Sequence, residues 1–412
     1  MKPIRSTRCP IASNATCSTS VNGLCGWTLG SCSRQSSSSF ANGTRIDGAD
    51  VSTSTLPDTK VVELNTIGEL LRYQREWETL LGETPEATLF QTLAWLAVYW
   101  KHFGQTPCLR TLLVFEGSRL AGAIPLAERT VRNRLGTVRV LGYPLDNWGT
   151  RYGPIGASVS KILHAGLRWL SETERTWDVL ELGWTSESQL PQVETAFGNA
   201  GLPTHQTKTA PVSEIDLSSG WDSYWSSRTS KHRNNVRRAE KKLAQHGTIT
   251  VHHHCGETDA RWDMYEMCEQ VASKSWQGGS STGNTLSHNS VRDFLRDTHE
   301  MASARRGVSM HVILVDQQPA AFAYNYVLNG SVYALRMGYA PQFAAAGPGL
   351  HLIHEVVREA ARLGYERIDL GEGDARYKHN WRTGEVQTYH VSHYRRHSLL
   401  AQTLRLRRHW FA

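Results

Sequence analysis

The chain has 412 residues, 40% of them hydrophobic, with 14 tryptophans, so two to three domains with sizeable cores are expected and wholesale disorder is excluded. Lysine and arginine number 45 against 38 acids, a net charge of +7, which mildly favours anionic partners such as phosphates, nucleotides or an anionic membrane face.

Residues 1–58 are rich in Ser, Thr and Gly and show no sustained period, which predicts a disordered leader. No apolar h-region follows the basic start within its first 30 residues, so no secretory signal is expected and the predicted location is cytoplasmic. Four of the seven cysteines lie in this leader without a CxxC pair, so neither a zinc site nor a disulfide framework is predicted. From Val61 onward the pattern is that of a folded protein. Helices are predicted over 66–81 and 91–103. The apolar run LFQTLAWLAVYW at 89–100 is too short to span a bilayer, which needs about 20 such residues. A hairpin follows, with Glu116-Gly117-Ser118 as its turn and Pro125 at an edge or bulge. After the Gly/Pro-rich GYPLDNWGTRYGPIG come a helix at 158–174 and a strand at 177–184.

The second half repeats that order. A helix at 221–245 precedes the strand TITVHHHC, and helices at 259–275 and 290–305 follow. Strands are predicted at 308–315, 320–328 and 331–339, the last two joined by Asn329-Gly330, a strong hairpin signal. An amphipathic helix at 350–363, ended by Gly364, leads to a strand at 367–370. The shared order predicts an internal duplication of one α+β unit: a mixed, mainly antiparallel sheet flanked by helices.

Three stretches carry candidate chemistry. In AAAGPGLHLI (344–353), glycines leave backbone amides uncovered at a helix start, where an anion fits, and Pro348 suits the first turn. In SSRTSKHRNNVRRAEKKLAQHG (226–247), Arg233, Arg237 and Lys241 share one helical face at i, i+4, i+8, either a solvated face or an anion-binding one. In RIDLGEGDARYKHNWR (367–382), a short strand ends in a cluster of ionisable groups. Asp369, Glu372 and Asp374 are candidate bases and Tyr377 a candidate acid. Lys378 is a candidate for stabilising developing negative charge. Asp369 has a structural alternative, pairing with Arg336 or Arg367. Trp276, in the Gly/Ser-rich SWQGGSSTGN, is a stacking residue for a sugar or a core anchor. His252 and His254 share a strand face, but no metal site is expected.

The order of hairpin, strand, Gly-rich turn, helix and strand resembles the GNAT acyltransferase core. There the Gly-rich turn after the fourth strand holds the pyrophosphate of an acyl-CoA. The basic helix, the Gly-Pro-Gly turn and GEGDARYK together resemble the tandem-GNAT proteins of the CelD type, relatives of the Fem aminoacyl transferases, over about residues 60–400. The resemblance implies a degenerate GNAT-like domain at 59–205, an acyltransferase domain at 206–400 and a basic tail at 401–412. It implies acetyl-CoA, or another acyl-CoA, at Tyr339, Ala344, Gly347, Pro348, Gly349 and Leu350, with Ala344 standing where the family turn has Gln or Arg. It further implies acceptor contacts by Arg233, Arg237, Lys241, Trp276 and Arg336. A lysine important in Fem relatives matches Lys378. The implied reaction is acyl transfer to an amine or hydroxyl of a sugar-derived, cell-envelope or exopolysaccharide precursor, a small molecule or a lipid- or nucleotide-linked sugar. The alternatives are Fem-like transfer from aminoacyl-tRNA and a non-catalytic scaffold of polysaccharide export. DNA is not an expected partner. The C-terminal stretch YRRHSLLAQTLRLRRHW (394–410), with five arginines and no acid, is read either as peripheral membrane contact or as a solvated last helix.

Overall fold

A computed structural model describes residues 59–133, 136–275 and 285–411; the predicted leader and Trp276 lie outside the described residues. The first half runs β1 (Thr59–Leu64), α1 (Ile67–Leu70), α2 (Gln74–Glu83), α3 (Leu93–Phe103), β2 (Cys108–Leu109), β3 (Thr111–Glu116), β4 (Arg119–Ile124), β5 (Ala127–Asn133), β6 (Gly136–Gly142), α4 (Val159–Glu172), β7 (Val179–Ser186), α5 (Leu190–Asn199) and β8 (His205–Lys208). The second runs β9 (Val212–Asp216), α6 (Gly220–Ser227), α7 (Ser230–Ala244), β10 (Ile249–Cys255), α8 (Trp262–Lys274), α9 (Arg292–Ala304), β11 (Val308–Val315), β12 (Gln318–Leu328), β13 (Ser331–Tyr339), α10 (Pro348–Arg362), β14 (Arg367–Glu372), α11 (Lys378–Trp381), β15 (Gly384–Val386), β16 (Thr388–Tyr394) and α12 (Leu399–Phe411).

The described residues form the expected α+β fold of mixed sheets flanked by helices. Where boundaries differ from the sequence reading, local chemistry accounts for it. The helix predicted over 221–245 is two helices, because Thr229 adopts an extended backbone and its hydroxyl accepts from the His232 amide at 3.2 Å, capping α7 afresh. The helix predicted over 66–81 starts on a Thr66–Glu69 capping box and is interrupted by a 3-10 turn at Leu71–Tyr73. Asn329 and Gly330 both have positive φ, as a two-residue hairpin turn demands. Pro125 lies between β4 and β5, which enter different sheets; lacking an N–H, it cannot continue a ladder.

Three sheets result: β1-β3-β4; β2-β5-β6-β7-β16-β8; and β10-β11-β12-β13-β14-β9-β15. Each of the two larger sheets contains one parallel pair, β6 with β7 and β13 with β14, bridged by the crossover helices α4 and α10. One strand crosses between the halves. The C-terminal β16 lies between β7 and β8 in the first half's sheet, while β9 pairs with β14. The expected boundary at 205/206 therefore falls at the start of β8, whose neighbour comes from the other end of the chain.

One core cluster crosses between the halves. Phe90 and Trp95 of the first half pack edge-on against Tyr326 of β12 at 6.2 and 5.0 Å, and Trp95 meets Phe294 of α9 at 6.0 Å. Full burial of side chains this large contributes about 1.5–3 kcal/mol each. A second cluster joins α6, α7 and α10 to the other face of the sheet around β12 and β13. The predicted basic tail belongs to α12. Its Ala401 is fully buried with Val138, Val179 and Tyr394, so the start of this segment is docked on the first half's sheet rather than solvated. No helix among the described residues is long and apolar enough to cross a membrane.

Candidate active site

The site begins where the parallel pair of the second half comes apart. Strands β13 and β14 pair only at Ser331–Tyr333 with Arg367–Asp369. Beyond that β14 stays with β9, and a gap opens beside residues 334–339. A register shift in the β12–β13 ladder pairs Tyr324 with Arg336 and Asn325 with Ala334, so Leu335 is an extra residue, left out of the ladder. Arg336 donates to the Leu335 carbonyl at 2.7 Å and lies 5.3 Å over the ring of Trp148. Burial pulls its guanidinium down to about 10, partly offset by Tyr326. No carboxylate lies within 4.0 Å of it among the described residues.

At the end of β13 the chain makes a 3-10 turn over Pro341–Ala346, and Gly347 (φ +70°) begins α10 with no side-chain cap. The left-handed backbone calls for glycine at 347. At 349 nothing inside the protein does. A Cβ there would meet only the Tyr339 ring at 4.0 Å, and one on Gly347 only the Ala239 methyl at 3.8 Å. Pro348 is buried; Tyr339, Gly349 and Leu350 are half-buried; Ala344 is exposed. The six residues expected at the cofactor thus run from the end of β13 to the first turn of α10 beside the gap; the Gly347 amide donates to the Ala344 carbonyl and the Leu350 amide to the Gly347 carbonyl, both at 3.1 Å, which leaves the Gly349 amide at the positive end of a 15-residue helix.

The loop after β14 is held by Lys378. Its buried ammonium donates to the carbonyls of Gly371 and Glu372 at 2.8 Å and of Gly373 at 3.2 Å. Burial pulls Lys378 below the usual lysine range, against Asp369, Glu372 and Asp374. All three donors of the head group are occupied, so this lysine shapes the loop. Asp369 is 2% exposed. It pairs with Arg151 at 3.2 Å and accepts from the Gly371 amide at 2.7 Å. Its carboxyl is raised by burial, against the pull of Arg151. Of the two cations weighed as its structural partner, neither Arg336 nor Arg367 makes the pair; Arg151 does. Glu372 is exposed at the strand end, its carboxyl raised by partial burial against His390 and Lys378. Tyr377 is 38% exposed, with its phenol pushed up by burial. Asp374 is exposed and pairs with His379 at 2.6 Å.

The basic helix divides its charges. Arg233 is half-buried and donates to the carbonyls of Ser226 (2.8 Å), Trp225 (3.4 Å) and Arg228, closing the end of α6. Arg237, which donates to Asn234, and Lys241 are exposed. The predicted triplet thus keeps only two members for a ligand.

Sequence reasoning missed Arg151. It sits in the loop between β6 and α4 with positive φ (+52°), and contacts Glu86 (3.1 Å), Glu214 and Asp369, while Arg367 lies 3.2 Å from Glu86. Three acids and two cations from both halves thus meet behind β14. A lone arginine in a Gly/Pro-rich loop gives no periodic signal that it serves a strand 218 residues later.

Residues 230–379 match the family model described as an acetyltransferase (GNAT) domain. The crystal structure of FemX matches with a TM-score of 0.54 at 13% identity, covering 80% of this chain and 96% of that one. A conserved protein of unknown function from Bacteroides thetaiotaomicron matches with a TM-score of 0.50 at 9% identity, covering 81% and 100%. No curated protein matches the chain. Identities this low speak to the fold alone. The stretch 230–379, which carries α7, the glycine turn, α10 and the β14 loop, has the GNAT acyltransferase fold.

Proposed function

We propose that the protein is an acyl-CoA-dependent acyltransferase that moves an acetyl group to an amine or hydroxyl of a sugar-derived or cell-envelope precursor. The observation that carries this reading is Gly349. Helices favour alanine over glycine, and no neighbour crowds position 349. Close approach of a ligand to the backbone explains the choice. The Gly349 amide, at the positive end of α10 between Gly347 and Leu350, would hold the donor's diphosphate, and the gap beside Leu335 and Arg336 would take its acyl arm. When bound, acyl-CoA supplies an activated thioester carbonyl.

The residues around the gap then divide the proton work. Glu372, raised by partial burial and open to solvent, accepts the proton from the attacking amine or hydroxyl. Tyr377 keeps its phenolic proton at neutral pH and holds it for the departing sulfur. Asp369 is already spent on Arg151 and the Gly371 amide, so it acts as a positioning residue for the loop. Arg336, a buried cation without a carboxylate, suits an anionic group on the acceptor.

Calorimetry of the full chain with acetyl-CoA tests the donor; binding is expected in the parent and lost in Gly349→Trp. Glu372→Gln is expected to lower kcat by about 10²–10⁴, with KM nearly unchanged. If the parent ignores acetyl-CoA and transfer depends on charged tRNA, the Fem-like alternative replaces this one.

A further inference from the structure

A second polar basin lies off the donor cleft. It measures about 490 Å³, between the start of α7 and the loop after β14. Lys231, Asn235, Arg376, His379 and Asn380 line it, with His232 also in its wall. Lys231 and Arg376 are exposed, and neither has a carboxylate within 4.0 Å among the described residues. His379 is paired with Asp374 at 2.6 Å, so one acid stands at the rim. The independent sign of a ligand is His232. It is 4% exposed, packs edge-on against Trp381 at 4.5 Å, and its Nε2 is buried without a hydrogen-bond partner. A buried ring nitrogen left unpaired is destabilising, and a bound acceptor atom would relieve it. Burial, aided by Arg228 and His354, lowers the affinity of this imidazole for a proton. It therefore stays neutral near pH 7 and donates through one ring N–H.

We propose that this basin is a phosphate subsite that grips a phosphate or diphosphate on the acceptor. The chemistry matches: two unpaired cations, amide side chains from Asn235 and Asn380, an orphaned imidazole, and the positive end of α7, a 15-residue helix. The volume suits a diphosphate with part of its head group rather than a single ion. The basin is separate from the donor's glycine turn. Gly347 lies against Ala239, while the basin's α7 residues run from Asn235 back to Thr229, about 6 to 15 Å away along the helix at 1.5 Å per residue. The acceptor assignment rests on the acyltransferase reading; phosphate binding does not.

The test uses the full chain carrying Gly349→Trp, which silences the glycine turn, titrated calorimetrically with pyrophosphate. Binding is expected, weakened about tenfold or more by Lys231→Glu with Arg376→Glu, two exposed sites with no core role. His232→Phe keeps the ring shape, removes the donor and is expected to weaken binding severalfold. It decides the matter should the double variant fail to fold. Tighter binding of UDP-N-acetylglucosamine than of pyrophosphate identifies a nucleotide-linked acceptor. Retention on phosphatidylglycerol but not phosphatidylcholine vesicles, lost in the double variant, identifies a lipid-linked one. Absence of pyrophosphate binding, or binding equal in folded variants, overturns the subsite. If acetyl-CoA fails to bind the parent while pyrophosphate still binds, the donor reading falls and the subsite stands.

Discussion

Each half of the chain has one helix that crosses between the strands of a parallel pair, and the two helices begin differently. Before α4, the Ile155 amide donates to the Ala123 carbonyl at 2.9 Å and the Ala123 amide returns the bond at 3.0 Å. The Gly156 amide donates to the Thr84 hydroxyl at 2.8 Å, and a Cβ on Gly156 would strike the Ala121 carbonyl at 2.5 Å. Tyr143, Tyr152 and Trp184 crowd the adjoining gap between β6 and β7, leaving a cavity of about 70 Å³, room for a few waters rather than an acyl arm. Neither helix has a side-chain cap, and before α10 the Gly347 and Leu350 amides are also bonded within the chain, but no neighbour crowds Gly349. The same topology is sealed in one half and open in the other. Steric room at the helix start, more than strand order, decides which half can receive a ligand.

The sealed half is not idle, because its loop supplies Arg151. Arg151→Ala leaves buried Asp369 and half-buried Glu214 without their nearest counter-charge, and removal of one partner from a buried pair costs about 3–5 kcal/mol. Urea unfolding at pH 7 measures it. A loss below about 1 kcal/mol would mean that β14 is positioned without the first half.

The helix starts themselves make a paired experiment. Gly349→Trp is expected to weaken acetyl-CoA binding at least 100-fold, about 2.8 kcal/mol, with little change in melting temperature. Gly156→Ala, at φ +131° and against a carbonyl, is expected to lower stability by about 1–3 kcal/mol while leaving acetyl-CoA affinity intact. If the two variants exchanged effects, the assignment of open and closed halves would be reversed.

Much of the open half was legible in the sequence because its signals are local. Asn329-Gly330, the glycines at 347 and 349 and the alternation at 367–370 each mark a turn, a helix start or a strand without reference to distant residues. The long-range strand pairings were not. HQTK and VSEID are short, half polar, and pair with partners more than 150 residues away, so no local period marks them. Arg233 was hidden in the same way: helical spacing groups it with Arg237 and Lys241, but spacing does not reveal that the carbonyls ending α6 engage it.

Lys378 sharpens the comparison within the open half. If it shapes the loop, Lys378→Met strands three carbonyls and lowers stability by about 1–3 kcal/mol, with kcat falling as Glu372 and Tyr377 lose their placement. Lys378→Arg, charged but too bulky for the same three contacts, is not expected to restore kcat. Full stability in Lys378→Met with kcat alone reduced would instead return the lysine to a direct role in the chemistry.

The smallest expected effect concerns protons. His311 of β11 is 1% exposed, and neither ring nitrogen has a hydrogen-bond partner. Burial pulls it down to about 4, helped by His253 and opposed by Glu359 and Glu355. An unfolded histidine takes up its proton near pH 6.5, whereas the folded one stays neutral to about 4. Between those values the unfolded state binds more protons, so native stability falls as the pH falls through that window. Buried His299, lowered to about 4, acts in the same direction. His311→Leu removes one such group. The variant is expected to lose about 1–2 kcal/mol less than the parent between pH 7 and pH 4.5, read from melting temperatures at both. An unchanged acid limb would mean that the sheet beside the glycine turn already opens to solvent before the histidine titrates, and the open half would then be the weaker one in stability as well as in backbone closure.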